Sequence, residues 1–455
     1  MNTFDVFDTL IARRYLTSDP IILQLANEVE NSNFFEARKI ADTGTRSLQE
    51  IYTHLASAGI IPESHVSVLM NREIELEIQH AIPVQENINR VNHGDILISD
   101  MYLPASAILE MVRSTGMNKQ VTLYQSNGDK SNGTVWPKLQ RLLAGWKSHH
   151  LGDNKHSDVD MPASFGISAE WCPDATKLNA SECKIVDDLT HIAMLSREVR
   201  LRYSGDRTIY HTIAASVNLP MLFVLAEQLH RKYKNRNIVF LGRDCQLLQK
   251  LYSAFYGLCY YLPFSRKVAY DQPEDSLKYL QAHSPNDPVY VDISSTGGTW
   301  EHLSRFGLIN ITVAIYSDSA YYTPTKPTLP MGFEYLMTNS QIGQTNLLLE
   351  LFNCGDHGHL DMIKTDGDKL MEVGFGLPEL PSEIVDAVHN PVKQACNLVT
   401  VYRDNIRQEL SNLTDEQLVK YFAQLSSTIC SETNLLSQAK GFLDKETHYL
   451  TQFTK

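Results

Sequence analysis

Thr3-Phe-Asp-Val-Phe-Asp-Thr-Leu10 opens the chain as a short strand-like run that carries two acidic residues. Three further apolar runs follow, namely Asp95-Ile-Leu-Ile-Ser99, Gln120-Val-Thr-Leu-Tyr124 and His149-His-Leu-Gly152, and helix-like segments separate them. Strands that alternate with helices favour a parallel sheet, and such a sheet places its chemistry at the carboxyl ends of its strands. We therefore predict an α/β domain over residues 1–190.

The rest of the chain divides into an insert and two further regions. The stretch from about Ile21 to Ile88 is predicted to be mostly helical, because its apolar residues recur at helical spacing. A second α/β domain is predicted over 205–345, and residues 346–455 are predicted to be mostly helical. The second domain opens with a long predicted helix and contains three strand-like runs: Asn237–Leu241, Pro288–Asp292 and Asn310–Tyr316.

Composition and charge narrow the functional class. The 455 residues include 40 Lys and Arg against 53 Asp and Glu, and the net charge of −13 disfavours broad binding to nucleic acid. Seven scattered cysteines without a Cys-x-x-Cys pair argue against a disulfide framework and a cysteine zinc site. The start has no basic leader, and no apolar run reads as long enough to span a bilayer. We expect a soluble, cytoplasmic protein without a membrane partner.

Polar side chains follow the apolar runs of the first domain, at the points where its strands are expected to end. Because these ends meet at one edge of the sheet, the side chains should converge. A carboxylate at such an edge can attack phosphorus, and clustered carboxylates prefer a hard divalent ion such as Mg²⁺. A lysine and a hydroxyl can hold phosphoryl oxygens in the transition state. The set that predicts this chemistry is Asp5, Asp8, Ser99, Lys130, Asp153 and Asp158.

These residues resemble, in order, the four motifs of the haloacid-dehalogenase (HAD) superfamily. The resemblance implies that Asp5 is the nucleophile and that Ser99 and Lys130 hold the phosphoryl group. It further implies that Asp153 and Asp158 bind or orient Mg²⁺ alongside Asp5. The fuller pattern looks like predicted HAD hydrolases that are often associated with bacterial polysaccharide loci. It implies a Rossmann-like HAD domain whose helical insert, about 15–88, is a C1-type cap that closes over small substrates and selects them.

One position departs from the HAD pattern. Phosphatases of the family usually carry a second aspartate two residues after the nucleophile, as general acid and base, and Phe7 stands there. The resemblance still implies metal binding at Phe7, because the family's ligand at this position is the backbone carbonyl. Asp8 is a candidate for proton transfer, although a regular strand would point its side chain to the opposite face. The motif thus supports attack by Asp5 and leaves proton delivery by Asp8 as a hypothesis.

A glycine-rich loop, Asp292-Ile-Ser-Ser-Thr-Gly-Gly-Thr299, follows a predicted strand of the second domain. Glycines at a strand-to-helix turn allow backbone N–H groups to face an anion. The loop resembles the phosphoribosyl-pyrophosphate (PRPP) loop of type I phosphoribosyltransferases, with Val291 at the first acidic position. An upstream polar turn occupies the place of that family's pyrophosphate-binding turn. The resemblance implies phosphate or phosphosugar binding by Arg243, Asp244, Asp292, Ser295, Thr296, Gly297, Gly298 and Thr299.

Together, these patterns predict a Mg²⁺-dependent HAD-type phosphohydrolase with a second, phosphoribosyltransferase-like domain. The expected substrate is a small phosphorylated metabolite, a sugar phosphate or a nucleotide, which reacts through an aspartyl phosphate on Asp5. Two alternatives stay open: a ligand-binding or regulatory protein, because Phe7 and Val291 each replace an acidic residue, and a PRPP-dependent transferase. A homo-oligomer also stays open. His149 and His150, beside the fourth motif, are expected to serve strand packing.

Overall fold

In a computed structural model, the chain forms two compact α/β units, each with a parallel sheet, which confirms the predicted fold class at that level. The first unit comprises Met1–Leu178 with Leu201–Ser204, and the second comprises Asn179–Arg200 with Gly205–Lys455. The structure describes residues 1–29, 31–126, 128–142, 148–205, 208–294, 297–308, 312–317, 333–335, 345–366, 369–376, 380–431 and 435.

The first unit is built on a five-stranded parallel sheet, counted over the described residues, with a small antiparallel pair beside it. The strands are β1 (Thr3–Asp5), β2 (Ile11–Arg13), β3 (Ala81–Pro83), β4 (Ile96–Ser99), β5 (Thr122–Gln125), β6 (His149–Gly152) and β7 (Ser168–Trp171). The sheet runs in the order β5-β4-β1-β6-β7, and β2 pairs with β3. In this doubly wound order the strand sequence reverses at β1, which lies between β4 and β6.

Helices cover the sheet and form the insert of the first unit. They are α1 (Asp19–Ala26), α2 (Phe34–Ala41), α3 (Leu48–Ser57), α4 (Val66–His80), α5 (Gln85–Arg90), α6 (Ala105–Ser114), α7 (Val135–Leu142) and α8 (Met161–Ser164). The apolar sides of α1 to α4 and of the central strand β1 share one core cluster. The helical stretch predicted from the sequence therefore contains α1 to α4, which lie between the paired strands β2 and β3.

The opening strand is shorter than the sequence suggests. The predicted run from Thr3 to Leu10 forms a strand only as far as Asp5, and a turn follows. The backbone of Asp8 lies in the left-handed region with φ of 56°, which aspartate tolerates better than most residues. Its N–H donates to the Ile11 carbonyl at 2.6 Å. The alternation rule that would send the Asp8 side chain to the far face of a strand does not apply within this turn.

Buried charge pairs hold the helical insert together. Arg38 on α2 and Glu73 on α4 are both fully buried and form a two-point pair with N–O distances of 3.0 and 2.6 Å. The Tyr52 hydroxyl donates to the same carboxylate at 2.7 Å. Because a buried ion is costly without its partner, this pairing fixes how α2 and α4 meet.

The second unit also has a five-stranded parallel sheet within its described residues, in the order β12-β11-β10-β8-β9, together with a hairpin of β13 and β14. The strands are β8 (Asn237–Leu241), β9 (Tyr260–Leu262), β10 (Pro288–Ser294), β11 (Thr312–Ser317), β12 (Phe333–Tyr335), β13 (Leu360–Asp366) and β14 (Lys369–Phe375). The three predicted strand-like runs correspond to β8, β10 and β11. Here the strand order reverses between β8 and β10.

The second unit also contains helices, which account for most of its described residues after 345. They are α9 (Ala180–Cys183), α10 (Thr190–Leu201, whose last residue belongs to the first unit), α11 (Thr208–Ile213), α12 (Leu219–Tyr233), α13 (Gln246–Phe255), α14 (Arg266–Asp271), α15 (Pro273–His283), α16 (Gly298–Ser304), α17 (Thr345–Asn353), α18 (Ser382–Asn397), α19 (Val399–Asn412) and α20 (Asp415–Ser431). The β13–β14 hairpin lies among the helices expected in this region.

One helical stretch corrects the sequence analysis. Within the described part of the chain, Ile209–Tyr233 is long and apolar enough, by length and composition, to cross a membrane. In the second unit, however, 89% of its most apolar window is buried inside the protein. The core helix of a soluble protein has this character, so the feature agrees with a soluble chain.

The buried pair in the insert generates a stability prediction. Glu73→Ala leaves the Arg38 guanidinium buried without its carboxylate, and we expect the free energy of unfolding of the insert to fall by about 3–5 kcal/mol. Hydrogen exchange of the α2 and α4 amides measures this free energy locally. The control is Glu28→Ala, which removes an exposed pair with Arg72 and should leave exchange nearly unchanged. Equal changes in hydrogen exchange for the two substitutions would contradict the stabilising role of the Arg38–Glu73 pair.

Candidate active site

The candidate site lies where the carboxyl ends of β1 and β6 meet. Asp5 is the last residue of β1, and Asp153 follows the last residue of β6. The two strands are direct neighbours in parallel register. This edge is the point at which the strand order of the first unit reverses, the usual place for a ligand in an open α/β sheet.

Three carboxylates gather at this edge. Asp5, Asp153 and Asp158 each offer an oxygen, and these oxygens all lie within 4.8 Å of one another. Asp5 and Asp158 are buried, and Asp153 is half-buried. In the described part of the chain, this acidic triad is the one group of His, Cys, Asp or Glu side chains with the spacing of a metal site. Hard carboxylate oxygens are the ligands that Mg²⁺ or Ca²⁺ takes.

Local structure after β6 delivers Asp158 to the triad. Asn154 caps a short π-helical turn over Lys155–Asp160, and its side chain accepts from two backbone N–H groups. The Asn154 N–H in turn donates to Asp158 Oδ2 at 2.9 Å. Gly152 permits the close approach, because a Cβ atom there would lie only 2.3 Å from Asp158 Cγ. Glycine at position 152 is therefore a steric requirement of this turn.

Lys130 neutralises part of this negative charge. Its ammonium donates to Asp5 Oδ1 and lies 2.8 Å from Asp158 Oδ1, so that it bridges the ends of two strands. The lysine is buried, and its two carboxylates hold its pKa above the ordinary value despite the opposing effect of burial. Thr9 donates its hydroxyl to the other Asp5 oxygen at 2.9 Å. Both oxygens of the predicted nucleophile are therefore oriented.

The three carboxyl groups differ in how readily they ionise. Burial, with the charges of Asp158 and Asp153, raises the pKa of Asp5 to about 8 against the pull of Lys130. Burial and the Asp158 charge raise the pKa of Asp153 to about 6. Burial also acts on Asp158, but hydrogen bonding to His150 and the charge of Lys130 outweigh it and lower its pKa to about 2. Asp5, which has the most strongly raised pKa, is therefore the hardest of the three carboxyl groups to ionise.

Ser99 and the loop after it support Lys130. Ser99 ends β4 and is buried, and its hydroxyl accepts from the Met101 N–H at 3.3 Å. The adjacent Asp100 accepts from the Ser126 hydroxyl and from the Lys130 N–H, the latter at 3.4 Å. The sequence analysis did not single out Asp100, because an aspartate after a strand has many structural uses. Here it ties the loop after β4 to the loop that carries Lys130.

Phe7 and Asp8 lie at the rim of the site. The Arg13 guanidinium stands over the Phe7 ring at 5.2 Å, and its Nε and Nη2 groups each donate to a Glu77 carboxylate oxygen at 2.8 Å. The Phe7 side chain thus contacts the Arg13 guanidinium and packs against the hydrophobic core of the first unit. Asp8 is half-buried, and its charge acts on both Asp153 and Arg13. The turn after β1 therefore brings the Asp8 carboxylate within electrostatic reach of the triad.

The residues predicted for phosphate binding in the second unit follow neighbouring strands. Gly242, with φ of 74°, leads from β8 into the turn that holds Arg243 and Asp244, whose charged groups lie 3.4 Å apart. Gly355 packs on this turn, since a Cβ there would lie 2.8 Å from Arg243 Cγ. On the adjacent strand, Asp292 belongs to β10, Gly297 has φ of 83°, and Gly298 and Thr299 begin α16. Ser295 and Thr296 lie outside the described residues.

The chain matches no protein-family model and no curated protein in comparisons with known proteins. Its site must therefore be interpreted from its own geometry. The first unit is an α/β protein with an acidic triad and a lysine at the switch point of a parallel sheet. Such a site can hold a divalent cation and present a carboxylate to an electrophile beside it.

The raised pKa of Asp5 predicts a pH-dependent stability of the protein in the presence of a chelator. Between the ordinary pKa of 3.8 and about 8, the folded chain keeps a proton on Asp5 that the unfolded chain has released. This stabilisation is complete below pH 3.8 and is lost as the pH rises through 8. Wild type should therefore lose stability relative to Asp5→Asn over this range, by at most about 1.4 kcal/mol per pH unit.

Urea unfolding of the two proteins at several pH values measures this difference. Because the two chains differ only at position 5, the comparison reports the titration of Asp5 together with its effect on the neighbouring carboxyl groups. A stability gap that stays constant from pH 4 to pH 8 would contradict the raised pKa.

Proposed function

We propose that the first unit is a Mg²⁺-dependent phosphohydrolase of the HAD type that acts on a small phosphorylated metabolite. The observation that carries the proposal is the acidic triad within 4.8 Å at the switch point, bridged by Lys130. The doubly wound sheet and the helical insert between β2 and β3 agree with the resemblance to that superfamily. Ser99 at the end of β4 completes the set of strand-end residues.

The donor set suits the proposed ion. All side-chain ligands are carboxylate oxygens, which favours Mg²⁺ over softer metals. The raised pKa values of Asp5 and Asp153 reflect burial first and neighbouring negative charge second, and a divalent cation would compensate that charge. Asp5, Asp153, Asp158 and the Phe7 carbonyl would hold Mg²⁺. When bound, Mg²⁺ supplies positive charge beside the transferring phosphoryl oxygens.

The proposed reaction has two displacements on phosphorus. A carboxylate oxygen of Asp5 attacks the phosphoryl group, the bond from phosphorus to the alcohol oxygen breaks, and an aspartyl phosphate forms. Thr9 holds the second Asp5 oxygen, while Ser99 and Lys130 donate to the phosphoryl oxygens as their charge redistributes. Water then attacks the acyl phosphate, which releases inorganic phosphate and restores the Asp5 carboxylate.

Proton transfer falls to Asp8 in this proposal. Phe7 has no proton to give, so the departing alcohol must obtain one from a neighbouring group. Asp8 lies in the turn that follows the nucleophile, and its charge acts on Asp153. As an acid it protonates the alcohol, and as a carboxylate it takes a proton from the attacking water. The helical insert supplies the surface that selects the rest of the substrate.

Phosphate release tests the proposal. The panel contains hexose phosphates, pentose phosphates, nucleoside monophosphates and PRPP, each with and without Mg²⁺. We expect Mg²⁺-dependent release by wild type and a loss of at least about 10³-fold in Asp5→Asn, which lacks the nucleophilic carboxylate. The matched control is Asp160→Asn, an exposed carboxylate in the same segment as Asp158, which should retain activity.

Three results separate the alternatives. Release that persists in Asp5→Asn would contradict the assigned nucleophile. Release that is unaffected by chelation would contradict the metal requirement. Absence of release from every ester would favour the ligand-binding or regulatory alternative.

For the second unit, the proposal is binding of a phosphosugar of the PRPP type. The supporting observation is that the Arg243 turn follows β8 and that Asp292 lies in the adjacent strand β10, where the strand order reverses. A guanidinium at this place is a suitable ligand for a pyrophosphate group. Backbone N–H groups near Gly297 and Gly298 would add uncharged donors.

Calorimetric titration with PRPP tests this second proposal. Arg243→Ala should weaken binding by about 10- to 100-fold, because a hydrogen bond to a charged group contributes about 1.5–3 kcal/mol. Arg305→Ala, at the exposed end of the helix that follows the loop, is the control and should bind like wild type. Equal affinity of wild type and Arg243→Ala would contradict the assigned site, and PRPP turnover would instead favour the transferase alternative.

A further inference from the structure

A buried imidazole contacts the Asp158 carboxylate of the acidic triad. His150 on β6 is fully buried, and both of its ring nitrogens have partners. Its Nε2 lies 3.2 Å from Asp158 Oδ1, and its Nδ1 lies 2.8 Å from the Thr3 hydroxyl oxygen on β1. Because a carboxylate oxygen accepts only, Nε2 carries the hydrogen, and Thr3 can donate to Nδ1. The two contacts link the central strand to the most acidic member of the triad.

An indole ring contacts both the His150 imidazole and the backbone of Lys130. Trp136 on α7 is fully buried and meets the His150 ring edge-on, with centroids 4.9 Å apart and planes at 73°. Its Nε1–H donates to the Lys130 carbonyl at 3.2 Å. The same side chain thus packs against the imidazole and fixes the backbone of the residue that bridges Asp5 and Asp158. An aromatic edge-to-face contact of this kind restricts ring orientation.

We propose that Thr3, His150 and Trp136 form a brace of positioning residues that sets the affinity of the acidic triad for a divalent cation. The proposal rests on the proposed function. Through this brace, His150 orients Asp158 and Trp136 holds Lys130. A partner that fixes the orientation of a metal-binding side chain commonly changes metal affinity by 10- to 100-fold.

Both carboxylate oxygens of Asp158 accept hydrogen bonds, and His150 supplies one of the donors. Oδ2 accepts from the Asn154 N–H at 2.9 Å, and Oδ1 accepts from Lys130 at 2.8 Å as well as from His150. A cation that binds the triad competes with Lys130 for Oδ1. The imidazole and the Asn154 N–H then remain as the donors that hold the carboxylate in place.

The neighbouring His149 provides a matched control. It belongs to the same strand, but its side chain lies beside β7, where its nitrogens lie 3.0 Å from Ser168 Oγ and 3.3 Å from Glu170 Oε2. About a third of this side chain is exposed. The substitution His149→Phe therefore removes an imidazole from the same strand and leaves the contacts of the triad in place.

The experiment is a calorimetric titration of Mn²⁺ and of Mg²⁺ into the full-length chain after removal of metal by a chelator. The variants are wild type, Asp158→Asn, His150→Phe, His150→Gln, Thr3→Val and His149→Phe. We expect His150→Phe to weaken binding by about 10- to 100-fold. His150→Gln keeps an N–H donor for Asp158 and should recover most of this loss. The metal affinity of Thr3→Val should lie between those of His150→Phe and His150→Gln, and the affinity of His149→Phe should match wild type.

The ¹⁵N NMR spectrum of the His150 ring gives a readout that is independent of metal. We expect hydrogen on Nε2 and a bare Nδ1, and the opposite tautomer would overturn the brace whatever the metal titration shows. Circular dichroism checks that each variant is folded. Should His150→Phe fail to fold, His150→Gln and Thr3→Val carry the comparison, since Thr3→Val removes the donor while keeping the shape.

The outcomes distinguish the brace from the metal centre. Binding by wild type that is lost in Asp158→Asn, together with wild-type affinity in both His150→Phe and Thr3→Val, would overturn the brace and leave the proposed metal centre standing. Absence of binding by wild type would overturn the metal centre and, with it, the role of the brace. Graded loss from wild type through Thr3→Val to His150→Phe supports both.

Discussion

The gathering of three carboxylates, two of them buried, beside one buried ammonium is the constraint on which the first unit depends. Asp5, Asp153 and Asp158 stand close enough to repel one another, and Lys130 compensates only part of their charge. Ions removed from water are tolerated only where hydrogen bonds satisfy their remaining lone pairs. The surrounding contacts supply those hydrogen bonds, from Thr9 to Asp5 and from Asn154 and His150 to Asp158. A site that remains under-compensated without metal favours a divalent cation.

The loop that follows β4 connects the site to the helical insert. Tyr102, three residues after Ser99, donates to Glu77 at 3.2 Å, and the Arg38 guanidinium lies over its ring at 5.0 Å. Glu77 also binds Arg13, which covers Phe7. Phe7 is thus part of the junction between the insert and the site.

Sequence reasoning could place Asp5, Ser99 and Asp153 because parallel strands bring their carboxyl ends together, and strand ends are visible as apolar runs followed by polar residues. It could not find the role of His150. Strand alternation shows that His149 and His150 face opposite sides, but it does not show which side the helices cover. The placement of Asp8 could not be derived from strand alternation either, because the strand ends at Asp5 and its period no longer applies. The pair of Arg38 and Glu73 is separated by 35 positions and leaves no local pattern.

The two units illustrate how much a strand order determines by itself. In each, the strand order reverses within the sheet, and parallel strands bring to one edge the described residues that were predicted at their carboxyl ends. The chemistry differs in how charge is balanced. At the second edge, Arg243 already faces Asp244, so opposite charges meet within one turn. At the first edge, three carboxylates share one lysine, and this excess of negative charge makes the first unit the stronger candidate for metal-dependent chemistry.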